Sequence, residues 1–288
     1  MRNSENLDWP FKFCNMSILF RLIYYFGLKM RLFLFSLLLV SLSACANTTD
    51  KTMLPVELAA VNGKNQCIVL IHGLWRSGYA MKPLQEYLNN YGFTTIAINY
   101  PSTETSIENL ATNFVAPAVD ECQAQGMKRI HFVTHSMGGI VARMYLQNHS
   151  LPENSRVVML SPPNQGSEFS KRFGDTSWYE WLVGPAAITL TKDSNGVINS
   201  LKPIKEEVGI IAAYREWSLW PSSWLPEPND GTVAVQNMRL AEMQDFILLE
   251  AGHAMMRHDE KVKFQIVHFL KHGRFKHTML SLNSVNNL

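Results

Sequence analysis

One segment, Arg129 to Ala142, limits the possible folds of this chain more than any other. It reads as a short, mostly apolar and β-branched strand from Ile130 to Thr134, a sharp turn at Ser136, and a helix from Met137 to about His149. Such a strand is typical of a parallel sheet that is buried on both faces. The helix that follows directs backbone N–H groups and its positive dipole end towards the serine. The segment therefore predicts a strand–turn–helix unit with a serine at the carboxyl edge of a sheet.

The rest of the chain repeats the alternation of strand and helix. Further strands are predicted at Cys67–Ile71, Phe93–Ile98, Arg156–Leu160, Val208–Ala213 and Asp245–Leu249, and helices at Lys82–Tyr91, Ser106–Gln123 and Asp259–Lys271. This order predicts an α/β fold with a mostly parallel sheet and helices on both faces. With 288 residues, 47% of them apolar, the chain is long enough for one large α/β domain, although a split into two domains stays open.

The turn around Ser136 carries a recognisable motif. The sequence Thr134-His135-Ser136-Met137-Gly138-Gly139 resembles the nucleophile elbow of the α/β-hydrolases, G-x-S-x-G, with Thr134 in place of the first glycine. The turn is strained, so the residues around it crowd together and are usually small. The resemblance implies that Ser136 is a nucleophile. The alternative is a serine in an ordinary loop beside two packing glycines.

Three more motifs follow the order of that family. His72-Gly73 at a strand end resembles the oxyanion loop of lipases, which implies that the backbone N–H groups of Leu74 and Met137 form an oxyanion hole. The Asn229-Asp230-Gly231 turn resembles the turn that presents the acid, and Gly252-His253 after the last strand resembles the site of the base. The resemblance thus implies a catalytic triad of Ser136, Asp230 and His253.

Alternatives to two of these residues are present in the sequence. Other carboxylates between the serine and the late histidine include Asp193, Glu227 and Asp245, and other late histidines include His258, His268 and His272. Asp230 is favoured because a glycine follows it in a tight turn, and His253 because it comes directly after the last strand. Asp230 has a second interpretation as an Asx-turn residue that stabilises its own loop.

Regular patterns weaken over residues 167–228. This stretch contains Trp178, Trp181, Trp217, Trp220 and Trp224, which are five of the seven tryptophans. An insertion here resembles the cap or lid of lipases and esterases. Its aromatic side chains are expected either to bind an acyl chain or to pack the cap onto the core.

The N-terminal region resembles a bacterial lipoprotein signal peptide. Lys29 and Arg31 precede an apolar run that ends in Leu42-Ser43-Ala44-Cys45, which resembles a lipobox. The resemblance implies a lipid on Cys45, and Ala46 after it favours an outer-membrane protein facing the periplasm. A plain signal peptide or a membrane anchor is the alternative. We expect Met30 to be the true start.

These patterns give the following domain organisation. Residues 1–44 form an N-terminal extension and signal peptide, 45–65 a tether, 66–273 the α/β-hydrolase domain and 274–288 a polar tail. Cys67 and Cys122 both lie near the amino-terminal edge of the predicted sheet, which predicts a disulfide between them in an oxidising compartment. Two buried free thiols are the alternative.

Together these features predict a serine ester hydrolase of the lipase or esterase kind, acting on a carboxylic ester with an apolar group through an acyl-enzyme. An acyltransferase or lipid-remodelling enzyme with the same triad, and a non-catalytic lipid-binding envelope lipoprotein, are the alternatives. The net charge of +2 and the lack of Lys/Arg runs indicate no nucleic-acid partner. No metal-ligand spacing or cofactor loop is visible, so no cofactor is expected. The expected partners are a small-molecule or lipid ester and, through Cys45, a membrane.

Overall fold

The structure is a computed structural model, and it describes residues 62–191, 196–215, 221 and 223–277. All of these lie in one compact unit, Leu54–Leu288. The other unit, Met1–Met53, contains the predicted signal peptide and Cys45, and it lies outside the described residues.

A six-stranded sheet forms the centre of the described unit. Its strands are β1 Gln66–Ile71, β2 Thr94–Ala97, β3 Arg129–His135, β4 Arg156–Leu160, β5 Glu207–Tyr214 and β6 Asp245–Glu250. They are paired in the order β2-β1-β3-β4-β5-β6, and every pair is parallel. The predicted α/β fold with a parallel sheet is therefore confirmed, and β3, which leads to Ser136, lies inside the sheet.

Helices lie between the strands. They are α1 Lys82–Asn89, α2 Ile107–Leu110, α3 Ala116–Ala124, α4 Gly138–Tyr145, α5 Glu168–Phe173, α6 Ser177–Ile188, α7 Val197–Ser200, α8 Val235–Met238 and α9 Glu260–His272. Helix α4 is one turn shorter than predicted, ending at Tyr145 instead of His149. Among the described residues, no helix is long and apolar enough to cross a membrane.

The predicted helix over residues 106–123 is interrupted. A π-helical turn, Ala111–Val115, separates α2 from α3. Pro117 follows this turn and has no N–H to donate, so a regular α-helical hydrogen bond cannot form there. At the start of the segment Ser106 caps α2, its hydroxyl accepting from the Asn109 N–H at 3.3 Å.

The core has two layers, one on each face of the sheet. Alternate residues of β1 belong to different layers: Val69 packs on the side of α3 and α4, whereas Ile68 and Leu70 pack on the side of α1 and α9. All three side chains are fully buried. Burial on both faces explains why the strands read as continuous apolar runs, without polar residues at alternate positions.

Two features anchor the edges of this core. Cys67 of β1 and Cys122 of α3 are joined by a disulfide with a Cα–Cα distance of 5.9 Å, so the bond links the sheet to a helix. At the other end of the chain, packing continues past residue 273. Phe275 is buried against Phe269, and its N–H donates to the Asp245 carboxylate at 2.7 Å. The remaining residues of the predicted tail, 278–288, lie outside the described residues.

Candidate active site

Ser136 occupies a strained turn between β3 and α4. Its φ angle is +56°, an uncommon value for a residue that carries a side chain. The Ser136 N–H donates to the Leu160 carbonyl at the end of β4, at 2.9 Å, which fixes the turn to the neighbouring strand. Strain of this kind is found mainly at functional sites, where the surrounding structure holds it in place.

The glycines after the serine are required by close contacts. A Cβ atom at Gly138 would lie 2.5 Å from the Ile71 carbonyl oxygen, and even closer to that of His72. A Cβ at Gly139 would lie 3.0 Å from the Cβ of Pro162, a tight contact. Thr134 is fully buried, and its hydroxyl has no hydrogen-bond partner among the described residues.

Asp230 and His253 form a hydrogen-bonded pair. The Nδ1 of His253 lies 2.6 Å from Oδ2 of Asp230, whose side chain is fully buried. The other oxygen, Oδ1, accepts from the N–H groups of Thr232 at 3.0 Å and Val233 at 2.8 Å. Both interpretations of Asp230 therefore apply: one oxygen stabilises the turn, and the other holds the imidazole.

His135, which precedes the serine, packs against His253. Its Nε2 lies 2.9 Å from the His253 carbonyl oxygen, and the two rings lie 4.8 Å apart. Burial, with the nearby charges of His253 and Arg257, lowers the pKa of His135 well below 6.5. The ring is therefore neutral, and its Nε2–H donates to the carbonyl. This bond joins the turn that carries Ser136 to the loop that carries His253.

The loop after β1 approaches the serine closely. A Cβ added at Gly73 would lie 2.8 Å from the Ser136 Cβ, so only glycine fits there. The N–H groups of Leu74 and Met137 donate to no acceptor within the described ranges, which leaves them available to a ligand. These are the two donors that the resemblance implied.

His72 supports this loop rather than reacting. The ring is buried and stacks on Tyr100 with 3.8 Å between ring centroids. Its Nδ1 lies 2.8 Å from the Gly73 carbonyl oxygen, and its Nε2 accepts from the Tyr100 N–H at 3.4 Å. Burial lowers the pKa of His72 to about 4, so the ring is neutral near pH 7.

Trp75 connects the same loop to the cap. Its backbone has a φ of +55°, and its N–H donates to the Ser102 hydroxyl at 3.0 Å. The indole Nε1–H donates to the Leu182 carbonyl of α6, also at 3.0 Å. The loop with Leu74 is thus hydrogen-bonded to a helix of the cap.

Ser136 and His253 both line a cavity of about 560 Å³. Its other walls are mostly apolar and come from the cap and the loop after β1: Leu74, Trp75, Phe169, Phe173, Trp178, Leu182, Val183 and Trp224. Of the cap tryptophans, Trp178 and Trp224 line the cavity, Trp181 is 86% exposed, and Trp217 and Trp220 lie outside the described residues. An apolar cavity with a few polar groups at one end is typical of a small-molecule site.

Some residues of the site were not predicted from the sequence. Arg76 lines the cavity wall, and His135 contacts the imidazole of His253. The only signal for either was its position beside a recognised motif. No cluster of side chains suited to hold a metal ion occurs within the described part of the chain.

A parallel sheet with a serine on a strained strand–helix turn, and an Asp–His pair beside it, defines a hydrolase of the α/β class. A sequence profile of the Alpha/beta hydrolase family matches residues 68–263, and the chain belongs to this family.

Individual relatives are more distant. The chain is 26% identical to the lysosomal thioesterase PPT2 of Mus musculus over 137 residues, which cover 45% of this chain and 43% of that protein. It is 27% identical to the putative lipase ROG1 of Saccharomyces cerevisiae over 104 residues, covering 33% of this chain and 15% of that protein. The chain thus spans less than half the length of these curated relatives.

Solved structures share the fold. The mature lipase BlEst2 of Bacillus licheniformis superposes with a TM-score of 0.51 at 20% identity, covering 64% of this chain and 82% of that one. Phospholipase PlaB of Legionella pneumophila gives a TM-score of 0.51 at 15% identity, covering 77% of this chain and 61% of that one. At these identities the likeness is one of fold.

Proposed function

We propose that this protein is a serine ester hydrolase of the lipase or esterase kind, acting on a carboxylic ester with an apolar group. One observation carries the proposal: Ser136 and His253 line the same apolar cavity, and a buried carboxylate 2.6 Å behind the imidazole orients it. The similarity to a thioesterase and a lipase supports the same chemistry, with a thioester as a further substrate to test.

The proposed mechanism uses an acyl-enzyme. A serine hydroxyl is a weak nucleophile, so Nε2 of His253 takes its proton as the oxygen attacks the ester carbonyl. Asp230 keeps the proton of the neutral ring on Nδ1 and stabilises the imidazolium that forms. The imidazolium then gives its proton to the departing alcohol. In the second half, Nε2 of His253 takes a proton from water as the water oxygen attacks the acyl-enzyme. The imidazolium then returns this proton to the Ser136 oxygen, and the carboxylic acid is released.

Backbone donors stabilise the intermediate. The N–H groups of Leu74 and Met137 are proposed to bind the oxyanion, and each such donor is typically worth about 3 kcal/mol in kcat. Gly73 permits this arrangement because its backbone lies against Ser136. The apolar walls of the cavity would hold the acyl chain.

A lipid-binding protein without activity would need the cavity but not the rest of the site. Binding an acyl chain requires neither a serine at a φ of +56° nor a buried carboxylate on a histidine. An acyltransferase would use the same triad with an acceptor alcohol in place of water, and only product analysis with added lipid acceptors separates it from a hydrolase.

A fluorophosphonate probe and an ester series test the proposal. We expect the wild type to be labelled and to hydrolyse p-nitrophenyl esters, with Ser136→Ala losing both properties while its circular dichroism is unchanged. Ser150→Ala, an exposed serine after α4, is the matched control and should behave as wild type. Wild-type protein that binds fatty acid but is neither labelled nor active would favour the lipid-binding alternative.

We also propose that Cys45 carries the lipid that anchors the protein to the outer membrane, facing the periplasm. The lipobox pattern supports this, and Cys45 itself lies outside the described residues. Cys45→Ser should release the protein from the membrane fraction. Mass spectrometry of the precursor tests the start at Met30, since a peptide covering Asn3 to Arg21 would contradict it.

A further inference from the structure

A buried arginine without a carboxylate partner lies beside the site. Arg257 is only 5% exposed, and its guanidinium donates to two backbone carbonyls, Ala80 and, at 2.9 Å, Ala254. Its Nε has no partner, and no ion pair to it occurs within the described residues. Glu86 lines a small cavity together with Arg257 but pairs with Lys82 instead. Buried charges are normally paired, so this one is unusual.

The charge of a second arginine acts on the first. Arg76 is exposed, lines the catalytic cavity, and has no hydrogen bond or ion pair within the described part of the chain. Burial and the charge of Arg76 together lower the pKa of Arg257, so the two positive charges repel each other. Arg76 thereby adds positive charge to the wall of a cavity whose other walls are mostly apolar.

Another buried arginine shows that this arrangement is not general in the fold. Arg143 is 4% exposed and also has an unpaired Nε. The negative charge of Glu242 favours the charged form of Arg143. The positive charge of Arg76, in contrast, disfavours the charged form of Arg257. The carboxylate within the catalytic site, Asp230, is already held by His253. Within the described residues, no carboxylate forms an ion pair with Arg76 or Arg257.

We propose that Arg76 binds an anionic group on the substrate, so that the ester cleaved at Ser136 carries a phosphate within a few bonds of its carbonyl. This inference rests on the proposed ester hydrolysis. Arg76 comes two residues after Leu74, whose N–H is the proposed oxyanion donor, and consecutive Cα atoms lie about 3.8 Å apart. The inference therefore places the anion on the part of the substrate nearest this loop. Guanidinium groups suit phosphate because they donate two parallel hydrogen bonds to it.

Two substrates that differ only in the phosphate test this inference. The full-length protein is assayed with 1-decanoylglycerol and 1-decanoylglycerol 3-phosphate below their micelle-forming concentrations. A hydrogen bond to a charged group is worth about tenfold to 150-fold. We expect kcat/KM of the wild type to be at least about tenfold higher for the phosphate. Arg76→Gln should remove this preference, while Arg76→Lys should keep part of it.

Arg129→Gln is the matched control, because this exposed arginine begins β3 at the opposite, amino-terminal edge of the sheet. It should leave both rates unchanged. Added salt should slow hydrolysis of the phosphate ester in the wild type but not that of the neutral ester. Equal rates for the two esters in the wild type, or an equal loss of both in Arg76→Gln, would overturn the inference.

A binding measurement separates this inference from the proposed activity. Trp75 and Trp178 line the cavity, so tryptophan fluorescence reports its occupation. Decyl phosphate should bind the wild type at least about tenfold tighter than decanol, and Arg76→Gln should abolish the difference. If no ester is cleaved but this difference is present, the proposed function fails while the anion site stands; if esters are cleaved and the difference is absent, the anion site is wrong.

Discussion

Replacing Asp230 with asparagine tests the proposed triad most directly, because the structure determines how the new side chain must sit. Oδ1 accepts from two backbone N–H groups, those of Thr232 and Val233. An amide must present its oxygen to these donors, since its nitrogen cannot accept. The amide nitrogen is then left facing Nδ1 of His253, in the position that Oδ2 now occupies at 2.6 Å.

This orientation forces the wrong tautomer on the imidazole. An amide N–H pointing at Nδ1 requires that nitrogen to be unprotonated, so the ring proton moves to Nε2. Nε2 can then no longer take the proton of Ser136. An Asp→Asn change at the corresponding position of serine proteases lowers kcat by about 10⁴-fold, and the same reasoning predicts a loss of about this size here. That factor corresponds to about 5 kcal/mol of transition-state stabilisation.

Folding should be affected far less than activity. The amide oxygen keeps both turn hydrogen bonds, and only their charge-assisted part is lost, about 1 kcal/mol. For a domain of this size that lowers Tm by about 2–4 °C. The assay is kcat for a p-nitrophenyl ester together with the rate of fluorophosphonate labelling, and both should fall in parallel.

Asp245→Asn provides a matched control. Asp245 also accepts from a histidine, His277, at 2.9 Å, but it begins β6 at the far edge of the sheet. Its activity should stay within about twofold of wild type. If Asp230→Asn folded normally and kept more than a tenth of the wild-type kcat, the assignment of Asp230 as the orienting acid would be refuted.

Three further predictions concern stability. The disulfide between Cys67 and Cys122 spans 55 residues, so its reduction should lower the free energy of unfolding by about 4 kcal/mol in urea titrations; an unchanged midpoint would contradict this. Gly138→Ala would place a methyl group 2.5 Å from a carbonyl oxygen at the end of β1. We expect it to lower the free energy of unfolding by about 1–3 kcal/mol in urea titrations, and to lower kcat for esters by displacing the proposed oxyanion loop. Burial lowers the pKa of His72 to about 4 and that of His131 to about 3, against 6.5 for a free imidazole. Below pH 6.5 the unfolded chain therefore binds protons that the folded protein does not, so the free energy of unfolding should fall between pH 6.5 and pH 4. The loss from His72 alone should be about 3 kcal/mol. Equal urea midpoints at pH 7 and pH 4.5 would contradict this prediction.

The sheet was predictable because buried parallel strands have a strong local pattern. The strand Arg156–Leu160 was predicted to the residue, and the other strands to within one residue at each end. Strand Glu207–Tyr214 was found even though it lies between the two irregular stretches of the cap. Each strand is apolar on both faces, so its signal does not depend on which neighbour it meets.

The cap was not predictable in the same way. Its helix Ser177–Ile188 contains Gly184 at a φ of +76° followed by a proline, a combination that reads as a break in the sequence. The helix tolerates this kink because Gly184 packs against the Thr103 backbone with no room for a side chain. That contact joins residues far apart in the chain, and no local pattern indicates it.

The residues of the candidate site were likewise predictable only where a local sequence pattern indicates them. Ser136, Asp230 and His253 were identified because each lies in a short motif at the end of a strand. Arg76 and Arg257 were not, because their significance depends on the electrostatic effect of one on the other and on the lack of an ion pair to either among the described residues. Single arginines in a sequence carry no such information.

The hydrogen bond from Trp75 to the Leu182 carbonyl would give the cap a direct influence on the proposed reaction. Only Leu74 separates Trp75 from Gly73, whose backbone touches the serine turn. A substrate bulky enough to push α6 outwards would either break this bond or displace the backbone N–H of Leu74, the proposed oxyanion donor. Acyl chains that fit beneath the helix would leave this N–H in place, so the fit of the chain and the rate of ester cleavage would be coupled.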